Sequence, residues 1–171
     1  MRPRRPGRLA GITVLLILLA AGWLQTRDQG GSGLPAAAPE TVKVDRVVDG
    51  DTAKVFYEGR SEYVRYIGID TPESVDPDSP VECFGEEAKE FNDRLLRDGE
   101  VRLVFDQEMR DRYGRLLAYV YVGNLMLNAE LLRKGFAQTL TISPNDAESR
   151  RFEKIEADAR YSGVGLWSSC G

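Results

Sequence analysis

In VRYIGIDTPES, residues 64–74, a strand runs into a pair of carboxylates. Val64, Tyr66 and Ile67 favour a sheet, and Pro72, which has no N–H for a ladder, ends it. Asp70 and Glu73 stand at that exit with Thr71 between them. Asp51 sits just past another break, the Asp49-Gly50 turn dipeptide of DGDT, residues 49–52. Asp51, Asp70 and the carbonyl of Thr71 would make an incomplete cage of hard oxygens. Calcium takes about six to eight such ligands, so water or a substrate phosphate would complete it.

The remaining residue types narrow the chemistry. The chain has no histidine, so the side chain that ordinarily moves protons near neutral pH is missing. Its two cysteines, Cys83 and Cys170, read as a disulfide in an exported chain, which sets a thiolate zinc site aside. A general base must then be a carboxylate, a lysine or a tyrosine. Arg65 interrupts the apolar strand: it is either a solvated strand charge or an inward fork aimed at a phosphate. Arg115 follows a Tyr-Gly turn in RDRYGR, residues 110–115, and taken alone this is an ordinary basic hairpin loop. Taken alone, DGDT is an ordinary turn. Together, a cation site, two guanidinium groups and a spare carboxylate are what phosphodiester hydrolysis requires. The cation and arginines offset the charge that builds on phosphorus, and the carboxylate takes a proton from water.

The elements that must position these groups show in the hydrophobic pattern. Val42, Val44, Val47 and Val48 mark a strand over 42–48, TAKVFY a second over 52–57, and residues 61–69 a third, joined by Asp-Gly and Glu-Gly turns. Ala88, Phe91 and Leu95 predict a helix over 86–97, with Glu86 and Glu87 suited to its N-terminal dipole. Strands follow over 100–105 and 115–122, then helices over 126–134 and 146–161, the last with Phe152, Ile155 and Ala159 on its buried face. Leu166 and Trp167 dock the tail. The order βββ-α-ββ-α-α predicts an α+β fold, a five-stranded Greek-key barrel of OB type with three α-helices.

The chain of 171 residues has 42% apolar and 29% charged residues, a globular balance. Its N-terminus departs from it. Arg2, Arg4, Arg5 and Arg8 precede an uncharged apolar run over residues 9–24, so 1–24 reads as a signal peptide or signal anchor. Residues 25–39, rich in Gly, Ser, Pro and Ala, read as a linker, and 40–171 as the domain. Five of the 23 basic and one of the 27 acidic residues precede Glu40, leaving 18 against 26, a net charge of about −8 for the domain. A surface this acidic does not coat phosphates passively, so nucleic acid would be gripped through local arginines and a cation.

DGDT, VRYIGIDTPES, DRYGR, LLRKGFA and GLW occur in this order over about residues 41–168. The set resembles the staphylococcal (micrococcal) thermonuclease family of SNase-like OB-fold nucleases. The resemblance implies calcium-dependent, low-specificity endonucleolytic cleavage of DNA and RNA, with products ending in a 3′-phosphate. By it, Asp51 and Asp70 match the calcium-binding aspartates and Thr71 the residue lending its carbonyl. Glu73 matches the general base, and Arg65 and Arg115 the phosphate-binding arginines. Asp49 matches a position linked to the ion through water, and Arg112 and Tyr113 match residues near the terminal phosphate of a bound nucleotide. One departure stands out. The best-known member has tyrosines near the base after its GFA-like segment, where this chain reads QTLTIS. Lost stacking is worth about 1–3 kcal/mol per base contact.

The sequence thus leads to an exported or surface-tethered nuclease, held at the membrane by its N-terminal segment if that is not cleaved. It implies DNA and RNA substrates and no protein partner, and the expectation is a monomer. Two other readings compete. A non-catalytic OB-type nucleic-acid-binding module would not need the full set of Asp51, Arg65, Asp70, Glu73 and Arg115. A membrane-anchored interaction domain would leave the two arginines unexplained.

Overall fold

The computed structural model describes residues 37–74, 81–97 and 99–170. The expected signal segment, and the expected linker as far as residue 36, lie outside the described residues. Three antiparallel strands open the domain: β1 (Glu40–Val47), β2 (Thr52–Tyr57) and β3 (Arg60–Tyr66). After the short β4 (Gly68–Asp70) and α1 (Gly85–Leu95), β5 (Glu100–Val104) returns to pair with β1. The next strand, β6 (Leu116–Val122), runs antiparallel to β5 and parallel to β3, with Arg65 level with Leu117. That last pairing closes the expected five-stranded barrel. Its interior is filled by alternate residues such as Val55, Val64, Tyr66, Leu103, Leu116 and Val120, all buried.

Beyond β6 lie β7 (Leu125–Met126), α2 (Leu127–Arg133), β8 (Gln138–Leu140), α3 (Ser149–Tyr161) and a single turn, α4 (Leu166–Ser169). The three expected helices are α1, α2 and α3. α2 is the central one: Leu127, Asn128, Leu131 and Leu132 are all fully buried. Among the described residues no helix is long and apolar enough to cross a membrane.

Two differences from the expected elements matter for the site. The third strand does not run through to residue 69. It breaks at Ile67, whose carbonyl accepts from Asn128 Nδ2 at 2.8 Å, and Gly68 follows with φ +79°. A Cβ at Gly68 would come within 2.8 Å of the Phe152 ring, so only glycine makes this bend against α3. The bend takes β4 out of the barrel to pair with β8, and so carries Asp70 to the rim. The buried ridge of α1 is also shifted. It is Gly85, Ala88 and Asn92, while Phe91 and Leu95 are half-buried and Phe91 stacks on Phe136 at 4.6 Å. The polar Asn92 belongs to the core because both its amide nitrogen and its amide oxygen are hydrogen-bonded there. α3 starts at Ser149 rather than 146, because Asp146 to Ser149 form a turn closed by the Ser149 N–H on the Asp146 carbonyl at 3.0 Å.

Cys83, two residues before α1, is disulfide-bonded to Cys170, just after α4.

Candidate active site

The β1–β2 connection shapes the first half of the site. Asp51 donates its N–H to Asp49 Oδ1 at 3.0 Å, and its carbonyl accepts from the Tyr66 N–H at 2.9 Å. Asn92 on α1 ties the loop down, giving its Nδ2 to the Asp49 carbonyl (3.0 Å) and accepting from the Tyr66 hydroxyl (3.1 Å). The Asp51 side chain is thereby turned inward, with the residue only 4% exposed. Its Oδ2 accepts both the backbone N–H (2.7 Å) and the hydroxyl (3.1 Å) of Thr71, and its Oδ1 accepts from Thr52 Oγ1 at 3.2 Å. Gly50 makes room for this, since a Cβ there would lie 2.7 Å from Thr71 Oγ1.

Arg65 completes that half from β3. It sits opposite Thr52 on the outer side of the barrel wall. Its Nη2 donates to Asp70 Oδ1 at 2.6 Å, and its Nη1 forms an ion pair with Asp51 Oδ1. That Nη1 is buried and makes no hydrogen bond of good geometry. The sequence left Arg65 open between a solvated charge and an inward fork, and its side chain lies against two carboxylates, 14% exposed. Burial holds the Arg65 pKa below its ordinary value, and the charges of Asp70 and Asp49 offset only part of that fall. The Asp49 carboxyl is raised above its ordinary value by burial, with the Thr52 hydrogen bond and the Arg65 charge opposing.

Glu73 and Arg115 form the open side. Glu73 is held by its backbone: its N–H donates to Glu82 Oε2 and its carbonyl accepts the Glu82 N–H, both at 2.9 Å. Gly85 closes in behind, where a Cβ would lie 2.6 Å from the Glu73 carbonyl oxygen. Glu73 Oε1 accepts from the Ser74 N–H at 2.8 Å. Arg115 leaves the hairpin turn with its Nε on Asp111 Oδ2 (2.7 Å) and its N–H on Asp111 Oδ1 (3.0 Å).

Asp49, Asp51, Arg65, Asp70, Thr71, Glu73 and Arg115 line one cleft of about 240 Å³. Arg112 and Tyr113 do not reach it. They line a neighbouring hollow of about 510 Å³, shared with Arg65, Arg115, Leu140 and Ile142. There Arg112 Nη2 donates to the Tyr113 hydroxyl at 2.6 Å, and the ring is 68% exposed. Cys83 and Cys170 line neither space. Sequence reasoning passed over Asn92, Glu82 and Asp111, which hold the DGDT loop, Glu73 and Arg115. None of the three left a trace in the hydrophobic pattern, because each acts through a hydrogen bond made in the fold.

A hard divalent cation fits this donor set. Asp51 and Asp70 converge on one positive charge, that of Arg65, whose buried Nη1 lacks a hydrogen bond. Among the described residues no group of three or more His, Cys, Asp or Glu side chains could hold a metal. Two carboxylates leave several positions to water or phosphate oxygens, which suits a hard, oxygen-seeking cation and not a closed zinc site.

Comparison with known proteins decides the family. The family described as staphylococcal nuclease homologues matches residues 63–169, from β3 through α4. The chain belongs to this nuclease family. Within it, similarity to the thermonuclease of Staphylococcus hyicus is 36% identity over 169 residues, 99% of this chain and all of that one. The thermonuclease of Staphylococcus intermedius is 40% identical over 75% of this chain and 76% of its own. The SPbeta prophage-derived endonuclease YokF of Bacillus subtilis is 43% identical over 76% of this chain and 45% of its own. The match of this nuclease-family chain to the Staphylococcus hyicus protein spans nearly every residue, so it takes in the DGDT loop that precedes residue 63.

Proposed function

We propose that this nuclease is a calcium-dependent phosphodiesterase that cuts DNA and RNA with little sequence preference and leaves 3′-phosphate ends. Its class, a nuclease-type hydrolase, follows from the family and from the thermonuclease and endonuclease relatives. The observation that carries the mechanism is the convergence of Asp51, Asp70, Arg65, Glu73 and Arg115 on one cleft.

Asp51, Asp70 and the Thr71 carbonyl would hold the cation, which when bound supplies positive charge to a phosphate oxygen. Arg65 and Arg115 approach the cleft from β3 and from the turn before β6, so two forks grip one phosphate from different elements. Their charge favours the pentacoordinate transition state over the ground state, and one of them steadies the leaving alkoxide. Glu73 takes the proton of the attacking water. None of these groups reads a base edge, which supports cleavage of both DNA and RNA with weak sequence preference. Arg112 and Tyr113 would bind the terminal phosphate, and Asp49 would orient a water on the cation.

Export, with retention at the membrane if the leader is uncleaved, is supported by the four arginines before the apolar run and by a disulfide that suits an oxidising compartment. A monomer is sufficient, since every group named comes from one chain.

Digestion of single-stranded DNA and RNA with calcium, and again after chelation, tests the reading. Activity with calcium and none after chelation is expected, together with a calcium-induced rise in Tm. Cleavage that survives chelation would remove the cation from the mechanism.

A further inference from the structure

Cys83 and Cys170 line neither the cleft nor the hollow beside it, yet their bond reaches the cleft through the turn that carries Cys83. Its neighbour Glu82 clasps the Glu73 backbone twice. Glu82 Oε2 accepts the Glu73 N–H and the Glu82 N–H donates to the Glu73 carbonyl, both at 2.9 Å. The Gly85 N–H returns to the Glu82 carbonyl at 3.0 Å and closes the turn. Glu73 is half-buried on the cleft wall, so its place there follows this turn.

The turn's own residues hold it poorly. Phe84 has φ +72°, a left-handed conformation that a residue with a Cβ enters at a cost. α1 begins there without a side-chain cap hydrogen bond. Val81, Glu82 and Cys83 are exposed, so burial does not fix their side chains. Support comes from outside: the Phe84 ring stacks on Phe136 at 5.4 Å, and the disulfide ties Cys83 to the tail. The far end of that bond is firmly seated. The Cys170 N–H donates to the Leu166 carbonyl at 3.1 Å. Leu166 is buried, and its N–H donates at 2.9 Å to the carbonyl of Gly135, just past α2. The Arg160 guanidinium of α3 lies 4.1 Å from the centre of the Trp167 ring. Sulfur thus links the central helix of the domain to Glu82. The groups expected to hold the cation have different supports, since Asp51 accepts from Thr71 and the buried Asn92 ties down the DGDT loop.

We propose that the Cys83–Cys170 disulfide is a positioning device for Glu73: it holds the Glu82 turn against the Glu73 backbone, and its reduction slows the chemical step while the cation and phosphate groups stay in place. Cys83 is a positioning residue, acting through Glu82. The exposed Cys83 lets a dithiol reach the bond. Reduction adds two electrons and two protons to the sulfurs, giving two thiols, and the dithiol closes to its own disulfide. The chain is therefore a slower nuclease where dithiols keep its cysteines apart, and oxidation completes the site. The proposal rests on the nuclease reading above.

The test uses the full-length protein with calcium and single-stranded DNA, with and without dithiothreitol. Reduction is expected to lower kcat about three- to tenfold with KM unchanged. Cys170→Ala, far along the chain from Glu73, lowers it as Cys83→Ala does, and neither variant responds to dithiothreitol. In a Glu82→Ala background reduction has no further effect on kcat, because the two act in series. Amide hydrogen exchange reads the clasp without activity: the Glu73 N–H exchanges faster after reduction, and the Thr71 N–H, bonded to Asp51, does not. Equal kcat in the two redox states, an undiminished fall in the Glu82→Ala background, or release of both amides together would overturn the positioning role and leave the nuclease reading in place. Loss of near-ultraviolet circular dichroism on reduction would overturn it too, since the bond would then serve the whole fold. An oxidised wild type that cuts neither DNA nor RNA, yet frees the Glu73 amide alone on reduction, would keep the clasp and remove the catalysis.

Discussion

Two arginine–carboxylate pairs flank the same cleft and are built in opposite ways. Arg65 springs from a central barrel strand, is 14% exposed, and faces Asp51 and Asp70. Arg115 comes off a hairpin turn, is 34% exposed, and pairs with Asp111, with its guanidinium 5.6 Å from the centre of the Tyr113 ring. Arg65 and Asp51 are desolvated, while Asp70 is open to water, so the two buried charges feel each other strongly and removing either leaves the other uncompensated. The second pair is screened by water and worth about 1 kcal/mol or less to the fold. In the proposed mechanism the inner arginine would serve both the architecture and the chemistry, whereas the outer one would exchange Asp111 for a phosphate at small expense.

That contrast can be broken most directly at Arg65. Arg65→Ala is expected to lower the rate by several orders of magnitude. It should also destabilise the calcium-free protein by about 3–5 kcal/mol, because Asp51 is left buried without its cation. Calcium should restore part of that loss. Denaturant titration with and without calcium measures both effects, and wild-type stability of the variant would refute the inner pair's structural role. Arg115→Ala sharpens the comparison: a rate loss of roughly 10²–10³-fold with Tm almost unmoved. A large drop in Tm would show that the outer pair is no looser than the inner one.

A smaller effect is expected at Glu82, which holds the Glu73 backbone on the open side. Glu82→Ala should reduce kcat about tenfold with KM little changed, as a general base drifts from its position. Glu82→Gln, which still offers an oxygen to the Glu73 N–H, should recover most of the rate. Equal rates for both variants would dissociate Glu82 from catalysis.

The smallest effect is in pH dependence. Burial alone would raise the Asp111 pKa, but hydrogen bonds from the Arg115 side chain and from the Arg115 and Tyr113 N–H groups outweigh it, and the value falls below 3.8. A depressed carboxyl stabilises the fold fully above its ordinary value and ceases to do so as the pH drops through the lowered one. The stability margin of wild type over Asp111→Asn should be constant near neutrality and vanish only in strong acid. A margin that changes between pH 5 and 8 would assign the effect to another group.

Much of the barrel could be read from the alternation of Val42 to Tyr66 and from the Asp-Gly and Glu-Gly turns. The residues that line the cleft were readable because turn and strand-exit motifs carry them, although Arg112 and Tyr113 fall in the neighbouring hollow. What stayed hidden depends on contacts far apart in the chain. The break at Ile67 is fixed by Asn128, 61 residues on. The shifted ridge of α1 follows from Asn92 finding partners in Tyr66 and Asp49, which no hydrophobic pattern could show. β7, β8 and α4 span two to four residues, too short for any period to emerge.

The disulfide has a consequence for how the molecule survives damage. Cys83 and Cys170 are 87 positions apart, so the bond closes a covalent ring that takes in every element from α1 to α4. A protease that nicks any loop inside the ring opens it without releasing a fragment. The severed ends stay tethered through sulfur, and the broken strand order can re-form around the same cleft.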